Sequence, residues 1–288
     1  MHGPGIGSGG NILIANVFDE LYRKTDSHLQ DIDLSNVYGS TLPSIAFIGN
    51  LQSVLVMRNI ITVNSSSLWS MQFNSLFSII ELHDMYFEQT DSLNNLIIDF
   101  QLIGGVIMSN VTINNNDILN TDPVGFFHFL LFDNGVIQAS SITITNSDIG
   151  VKPIIMSEVL GSISMIIEDV FVRNVTLGTD TKIIKTQSLN SFSMNNSTFI
   201  DVKPQVAGDN TPKMVELSSL ALTDQLNYTI IDTHIEQSVI GFIEISGIAS
   251  NQSLTSYFVI SNFEYEHSYL DFPQDLISFT GIETNNDF

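Results

Sequence analysis

The chain has 288 residues, of which 43% are hydrophobic, and this is enough apolar material to bury a sizeable core. Acidic residues outnumber basic ones, with Asp+Glu 31 against Lys+Arg 9, and the formal net charge of -22 argues against a nucleic acid or an anionic membrane as partner. The count of Cys 0 excludes disulfides and thiolate metal sites, and no apolar run approaches the roughly 18–20 residues of a membrane-spanning helix.

The first predicted units are a glycine-rich N-terminal segment, residues 1–10, and a single domain over residues 11–288. Within the domain one short pattern recurs: apolar, any residue, Asn or Asp, apolar, any residue, apolar. Alternating residues on both sides of the polar position indicate two short strands that meet at a sharp bend. Asn and Asp suit such a bend because they tolerate a left-handed backbone. The ten predicted bend positions are Asn16, Asn36, Asn59, Asp84, Asn110, Ser141, Asp169, Asn196, Asp232 and Asn262.

A third strand precedes each pair, as in residues 96–102 and 242–246. Short turns such as Gly104-Gly105 connect it to the next pair, and the remaining corner carries the long connections, such as residues 201–212. The sequence therefore predicts an all-β fold: a right-handed parallel β-helix of three-strand coils, with about ten rungs and an Asn/Asp ladder at one corner. A leucine-rich repeat is imitated at residues 29–37, but later units lack its regular leucines.

The asparagine-anchored bend, the short strands and the single variable corner resemble the pectin-lyase-like right-handed β-helix family over about residues 11–282. The resemblance implies a fold and leaves the activity open, because the family includes polysaccharide lyases and glycosidases as well as adhesins, surface proteins and fibre components. The Asn/Ser/Ile-rich composition also looks like that of β-helical surface proteins from single-celled eukaryotes.

The motifs that the polygalacturonase branch of that family uses are incomplete here. Asn120-Thr121-Asp122 matches its first motif, and the other three are absent, so we expect no enzyme. Alignment of the third strands nevertheless predicts one outward column, in which neighbours lie about 4.8 Å apart. Its members are Ser70, Asp99, His128, Met156, Lys185, Glu216, Glu244 and Ser278.

Two catalytic alternatives follow from this column. Asp99 beside His128 is a candidate proton-transfer pair, and Lys185, Glu216 and Glu244 are candidates for a site with two carboxylates about 5 Å apart, the separation that retaining glycosidases use. A solvated charged stripe predicts the same residues. The six histidines lack paired spacing, so neither a metal nor another cofactor is predicted.

Sequons make several asparagines candidates for N-glycosylation. They are Asn64, Asn110, Asn174, Asn195, Asn227 and Asn251.

The ends of the repeat indicate how the coils assemble. Residues 11–16 are expected to be the strand that leads into the first bend, and residues 277–282 the last third strand, which gives close to a whole number of coils. We therefore expect a structural, non-enzymatic, extracellular or cell-surface β-helix that stacks end to end, or that continues into further coils of a longer chain. The alternatives are a polysaccharide lyase or glycoside hydrolase, and a carbohydrate-binding adhesin.

Overall fold

The computed structural model shows a parallel β-helix, in which the chain winds through strands that pair with the coils before and after them. It describes residues 12–15, 26–33, 35–36, 45–48, 54–64, 71–74, 78–88, 98–118, 126–150, 153–159, 163–187, 189–207, 212–219, 226–247, 257–268 and 275–280. No helix occurs within these ranges, and every strand pairing is parallel, as the sequence predicts.

The strands are β1 (Ile12–Ala15), β2 (Asp26–Asp33), β3 (Ile45–Ile48), β4 (Val54–Val63), β5 (Met71–Asn74), β6 (Ile79–Glu88), β7 (Ile98–Asn114), β8 (Asp117–Ile118), β9 (Phe127–Ile149), β10 (Ile155–Val159), β11 (Ile163–Leu177), β12 (Lys182–Thr186), β13 (Leu189–Pro204), β14 (Lys213–Ser219), β15 (Asn227–Glu236), β16 (Gly241–Gly247), β17 (Tyr257–Glu266) and β18 (Ile277–Thr280).

Each coil has three sides, and β6 shows the first two. Ile80 and Leu82 point inward before Asp84, whereas Met85 and Phe87 point inward after it, so the alternation of buried residues skips one position at Asp84. The skip marks the first corner, where side 1 turns into side 2 with a left-handed residue. Side 3 is the predicted third strand. It runs directly into side 1 within β7 and β9, and the long connections follow side 2.

Nine left-handed residues, with φ between 50° and 59°, stack in register at the first corner. They are Asp31, Asn59, Asp84, Asn110, Ser141, Asp169, Asn196, Asp232 and Asn262. Aspartate and asparagine alternate on each side of Ser141. Each described asparagine of this column donates its amide to the aspartate of the preceding coil, at distances of 2.6 to 2.7 Å. The alternation keeps aspartates of adjacent coils apart, where like charges would repel.

Two of the ten predicted bend positions are not part of this column. Asn36 lies at a second corner, five residues after Asp31, and Asp31 occupies the first-corner position instead. The full pattern fits Asp31, with Leu29, Ile32 and Leu34 at its apolar positions, whereas at Asn36 its last position is Gly39. The pairing register agrees with Asp31 as the first-corner residue. Asn16 lies outside the described residues, and the strand before it, β1, pairs with β3 on side 3 rather than leading into a bend. Within the described residues the first-corner column has nine members, one fewer than the predicted ten rungs.

The second corner was not predicted from the sequence. Eight described left-handed residues form it, and each follows a first-corner residue by five positions. They are Asn36, Asn64, Asn115, Asn146, Asn174, Asp201, Gln237 and His267. Hydrogen bonds between side-chain amides also connect parts of this column. Asn64 donates to Asn36 and Asn174 donates to Asn146, both at 2.9 Å.

The core runs through the coils as inward rows of aliphatic and aromatic side chains. Phe100 and Phe129, on side 3 of successive coils, stack with ring centroids 4.7 Å apart. In β15 every inward side chain is buried, but in β17, the last side 1 and side 2 described, the inward side chains are only half-buried. A strand in this fold therefore buries its inward row fully only when a coil covers it on each side.

Candidate functional site

Backbone pairing brings seven of the eight residues of the predicted side-3 column into register. Asp99, His128, Met156, Lys185, Glu216, Glu244 and Ser278 occupy successive coils in this column. The coil before Asp99 contributes Gln72, whereas Ser70 lies outside the described residues. The column is less exposed than expected for a solvated face: Met156 is buried, and the side chain of His128 is only 12% exposed.

The predicted proton-transfer pair of Asp99 and His128 is described only at the backbone. The backbone of His128 is the direct neighbour of Asp99, whose side chain lies outside the described residues. The imidazole Nε2 atom lies 3.6 Å from a carboxylate oxygen of Glu158, two residues along the neighbouring strand from Met156. This contact joins residues of two adjacent coils that are offset by two positions along the strand.

Lys185, Glu216 and Glu244 are stacked neighbours, as predicted, but Glu216 forms its ion pair with Lys182. The Lys182 ammonium lies 3.3 Å from the Glu216 carboxylate and donates to a carboxylate oxygen of Asp180 at 2.5 Å and to the Asp180 carbonyl at 3.0 Å. The Lys182 side chain is 3% exposed, so this cation is buried and its charge is met by two carboxylates.

A second buried lysine lies directly beside Lys182. Lys213 pairs with it in backbone register, and Gly241 follows in the next coil. A Cβ atom at Gly241 would lie 2.8 Å from the Lys213 ammonium and 2.8 Å from the Asp275 carbonyl oxygen, so glycine leaves the space that the lysine chain occupies. Lys182 and Lys213 could not be recognised from the sequence, because neither lies in the outward column.

A shallow cleft of about 400 Å³ lies on side 2 and the second corner of the central coils. Phe171 and Arg173 point outward from β11, and no described side chain forms an ion pair with Arg173. Four of the polar residues around them belong to the second-corner column: Asn146, Asn174, Asp201 and Gln237. Thr145 also lines the cleft. The cleft thus combines an aromatic ring, a guanidinium, a carboxylate and amides, which together can bind a flat, hydroxylated ligand.

On the outer face of side 1, Ser109, His83 and Glu81 are connected in series. The Ser109 hydroxyl lies 2.6 Å from His83 Nδ1, and His83 Nε2 lies 3.4 Å from a carboxylate oxygen of Glu81. This is the order of groups in a serine nucleophile site. However, β7 pairs with β6 on one side and β9 on the other, so the backbone N–H groups around Ser109 belong to the sheet rather than to an oxyanion hole.

The candidate glycosylation sites fall in three different settings. Asn110 belongs to the first-corner ladder, and Asn64 and Asn174 to the second; each of these amides already donates to the preceding coil. Asn195 is half-buried on β13, and Asn251 lies outside the described residues. Asn227, at the start of β15, is exposed. Of the sequons with a described position, Asn227 has the most accessible setting for a glycan.

Comparison of the chain with models of protein families, with curated proteins and with solved structures gives no match. Within the described residues, no three His, Asp or Glu side chains are grouped so as to hold a metal ion. The part of the chain that the structure describes contains no helix with the length and apolar character of a membrane span.

Proposed function

We propose that this protein is structural: a β-helical rod, extracellular or at a cell surface, that associates through the ends of its coils. The observation that carries the proposal is the inward row of β17. Phe258, Ile260, Phe263 and Tyr265 are half-buried there, whereas the equivalent residues of β15 are buried.

An open row of this kind favours association. Among the described strands β17 pairs with β15 alone. A strand edge without a neighbour presents unpaired N–H and C=O groups, and in β17 this edge lies beside half-buried apolar side chains. Pairing with another coil would satisfy both at once, as pairing between coils does throughout the central part of the molecule. The proposal includes a right-handed coil, because parallel crossovers are nearly always right-handed. It also includes a relationship to the pectin-lyase-like family.

The ion-paired Glu216 also supports a structural role over cleavage of a glycan on side 3. Its carboxylate, on the outer face, forms an ion pair with the buried Lys182 of the adjacent coil and so helps to hold the two coils together. Removal of that carboxylate is therefore expected to affect stability first.

Sedimentation velocity and negative-stain electron microscopy test the structural proposal. We expect rods longer than the roughly 40 Å that one stack of coils spans, with association increasing with protein concentration and with salt, because salt screens the repulsion between copies of charge -22. Single short particles at every concentration and salt level would contradict it.

A matched pair of variants connects the association to β17. Ile260→Asp introduces a charge into the half-buried row, and Ser261→Asp introduces the same charge on the exposed side of the same strand. We expect the first variant to abolish association and the second to leave it in place, with the thermal unfolding of both monitored by circular dichroism.

The cleft on side 2 favours a second candidate function, the binding of a carbohydrate. Phe171 can stack on the apolar face of a sugar ring, Arg173 can bind a sugar carboxylate, and the corner amides can bind hydroxyl groups. Titration calorimetry with acidic and neutral oligosaccharides tests this function. Arg173→Gln should remove binding of the acidic ones, and Arg58→Gln, at another exposed arginine, is the control. No binding by any oligosaccharide would exclude this candidate.

A further inference from the structure

The two ends of the described coils are offset by part of a turn. The side-3 column begins with β1 and ends with β18, whereas the column of sides 1 and 2 begins with β2 and ends with β17. If two copies simply stacked, β18 of one copy would lie against β1 of the next. The β17 and β2 strands would then be separated by the width of one missing strand.

We propose that copies associate by strand replacement: β18 of one copy takes the place of β1 in the next copy and pairs with its β3, which brings β17 directly against β2. This inference rests on the structural role proposed above. The replacement removes the offset, because β18 then pairs with strands of both copies. Neighbouring strands in every column are then one strand spacing apart across the junction.

The backbone register supports the exchange. Successive pairings place Ile277 in the same column as Ile98 and Ile12, so β18 and β1 occupy equivalent positions on side 3. Both strands have four residues, and both carry large apolar residues at their first and third positions, with sequences ISFT and ILIA. Ile98 and Phe100, at the equivalent positions of a central coil, are fully buried. The sequence of β18 therefore suits the place that β1 fills.

The strand to be displaced has few contacts to lose. β1 pairs with β3 alone among the described strands, whereas β3 pairs with strands on both sides. Displacement of β1 breaks one four-residue pairing, and the incoming β18 restores a pairing of the same length.

The facing coils also match each other on sides 1 and 2. In the replaced arrangement Ile260 stacks on Leu29 and Phe263 on Ile32, and all four side chains are half-buried in the separate chain. At the first corner Asn262 meets Asp31, which continues the alternation of asparagine and aspartate across the junction. Each of these equivalences follows from counting positions relative to the corner residue.

One pair opposes the junction. Glu264 and Asp33 both lie two residues after their corner residue, so their carboxylates become neighbours, and like charges directly opposite each other destabilise a sheet pairing. Association should therefore strengthen with salt, and Glu264→Gln should increase association at low salt.

Engineered cysteines distinguish replacement from simple stacking, because the chain has Cys 0. In the replaced arrangement Ser278 lies opposite Ala46 of the next copy, and in simple stacking it lies opposite Leu13. Neighbouring strands place Cα atoms about 4.8 Å apart, which a disulfide can bridge. Within one copy Ser278 and Ala46 lie roughly 38 Å apart, at opposite ends of the column, so a disulfide between these positions connects two copies.

The experiment oxidises two double variants, Ser278→Cys with Ala46→Cys and Ser278→Cys with Leu13→Cys, and compares the covalent multimers on a denaturing gel. Each single variant serves as a control for tail-to-tail or head-to-head contact. We expect a ladder of multimers from the 278/46 pair and little from the 278/13 pair.

Other outcomes separate this inference from the proposed function. A ladder from the 278/13 pair, or equal ladders from both, would overturn strand replacement and leave end-to-end association intact. Rods in the microscope with no ladder from either pair would also overturn replacement alone. Absence of both rods and ladders would overturn the structural role together with it.

Discussion

Strands β13 and β17 have the same local design and differ in what surrounds them. Both turn at an asparagine of the first corner, Asn196 or Asn262, which donates to an aspartate of the preceding coil. The inward side chains of β13 are nevertheless buried, and those of β17 are half-buried. The comparison shows that the corner is a local property of the sequence, whereas the core of a coil requires a neighbour on each side.

The largest expected effect comes from the inward phenylalanines of the two regions. Phe199 of β13 and Phe263 of β17 both pack against Phe242, with ring centroids 5.8 and 5.2 Å away. Phe199→Ala should lower the free energy of unfolding by about 3–5 kcal/mol, and Phe263→Ala by about 1–2 kcal/mol, because the second side chain is already partly in water. Urea denaturation measures both. Equal losses would mean that the terminal coil is as well packed as the centre.

The next effect compares a buried ion pair with an exposed one. Glu216→Gln leaves the buried Lys182 with Asp180 as its remaining carboxylate partner and should cost about 2 kcal/mol. Asp201→Asn breaks the pair between Asp201 and Lys203, whose side chain is 50% exposed, and should cost less than about 1 kcal/mol. Thermal unfolding of the two variants at equal ionic strength measures the difference. A larger loss from Asp201→Asn would contradict the buried position of Lys182.

A decline of stability at alkaline pH is expected from the inward tyrosines. Burial raises the pKa of the Tyr228 hydroxyl well above its usual range, and burial raises the pKa of Tyr265, in β17, as well. Because the unfolded chain loses the Tyr228 proton near pH 10 while the folded chain keeps it, stability that is present below pH 10 is lost as the pH rises. By pH 11 the loss from Tyr228 should reach about 1.4 kcal/mol.

Tyr228→Phe removes this loss and provides the test. The variant should be less stable at pH 7, because the hydroxyl donates to the Leu189 carbonyl at 2.8 Å, and should have a shallower decline above pH 10. Identical alkaline slopes for the wild type and the variant would show that Tyr228 ionises in the folded chain.

The smallest effect concerns the first corner, where we expect the same loss of stability in β13 and in β17. In Asn196→Gly and Asn262→Gly the new glycine accepts the left-handed backbone, and the hydrogen bond from the asparagine side chain to aspartate is lost. Each should cost about 0.5–1.5 kcal/mol, and the two values should agree, since both amides are exposed. A clearly larger cost at Asn196 would show that the ladder depends on the coils around it.

The sequence predicts the parallel coils, eight of the first-corner residues and the order of the side-3 column, because each follows from a repeating local pattern. The prediction of Asn36 was wrong because Asn36 fits only the first five positions of the pattern, whereas Asp31 fits all six. The hydrogen bonds from Asn59 to Asp31 and from Asn64 to Asn36 place the two residues at different corners. The assignment of β1 as a strand that leads into a bend is also wrong, because β1 pairs with β3 on side 3. The contacts of Glu216 and His128 were not predictable, because they depend on how long side chains lie across neighbouring coils.

The order of residues at the first corner has a consequence for how such a chain can grow. Four corner residues precede Ser141 and four follow it, in the same order of aspartate and asparagine. Insertion of one coil within either half would place two aspartates or two asparagines in adjacent coils. Insertion of two coils would preserve the alternation of aspartate and asparagine. The uncharged hydroxyl of Ser141 is the place where an odd winding fits. Lengthening by duplication should therefore succeed in even steps on either half and in single steps only beside Ser141.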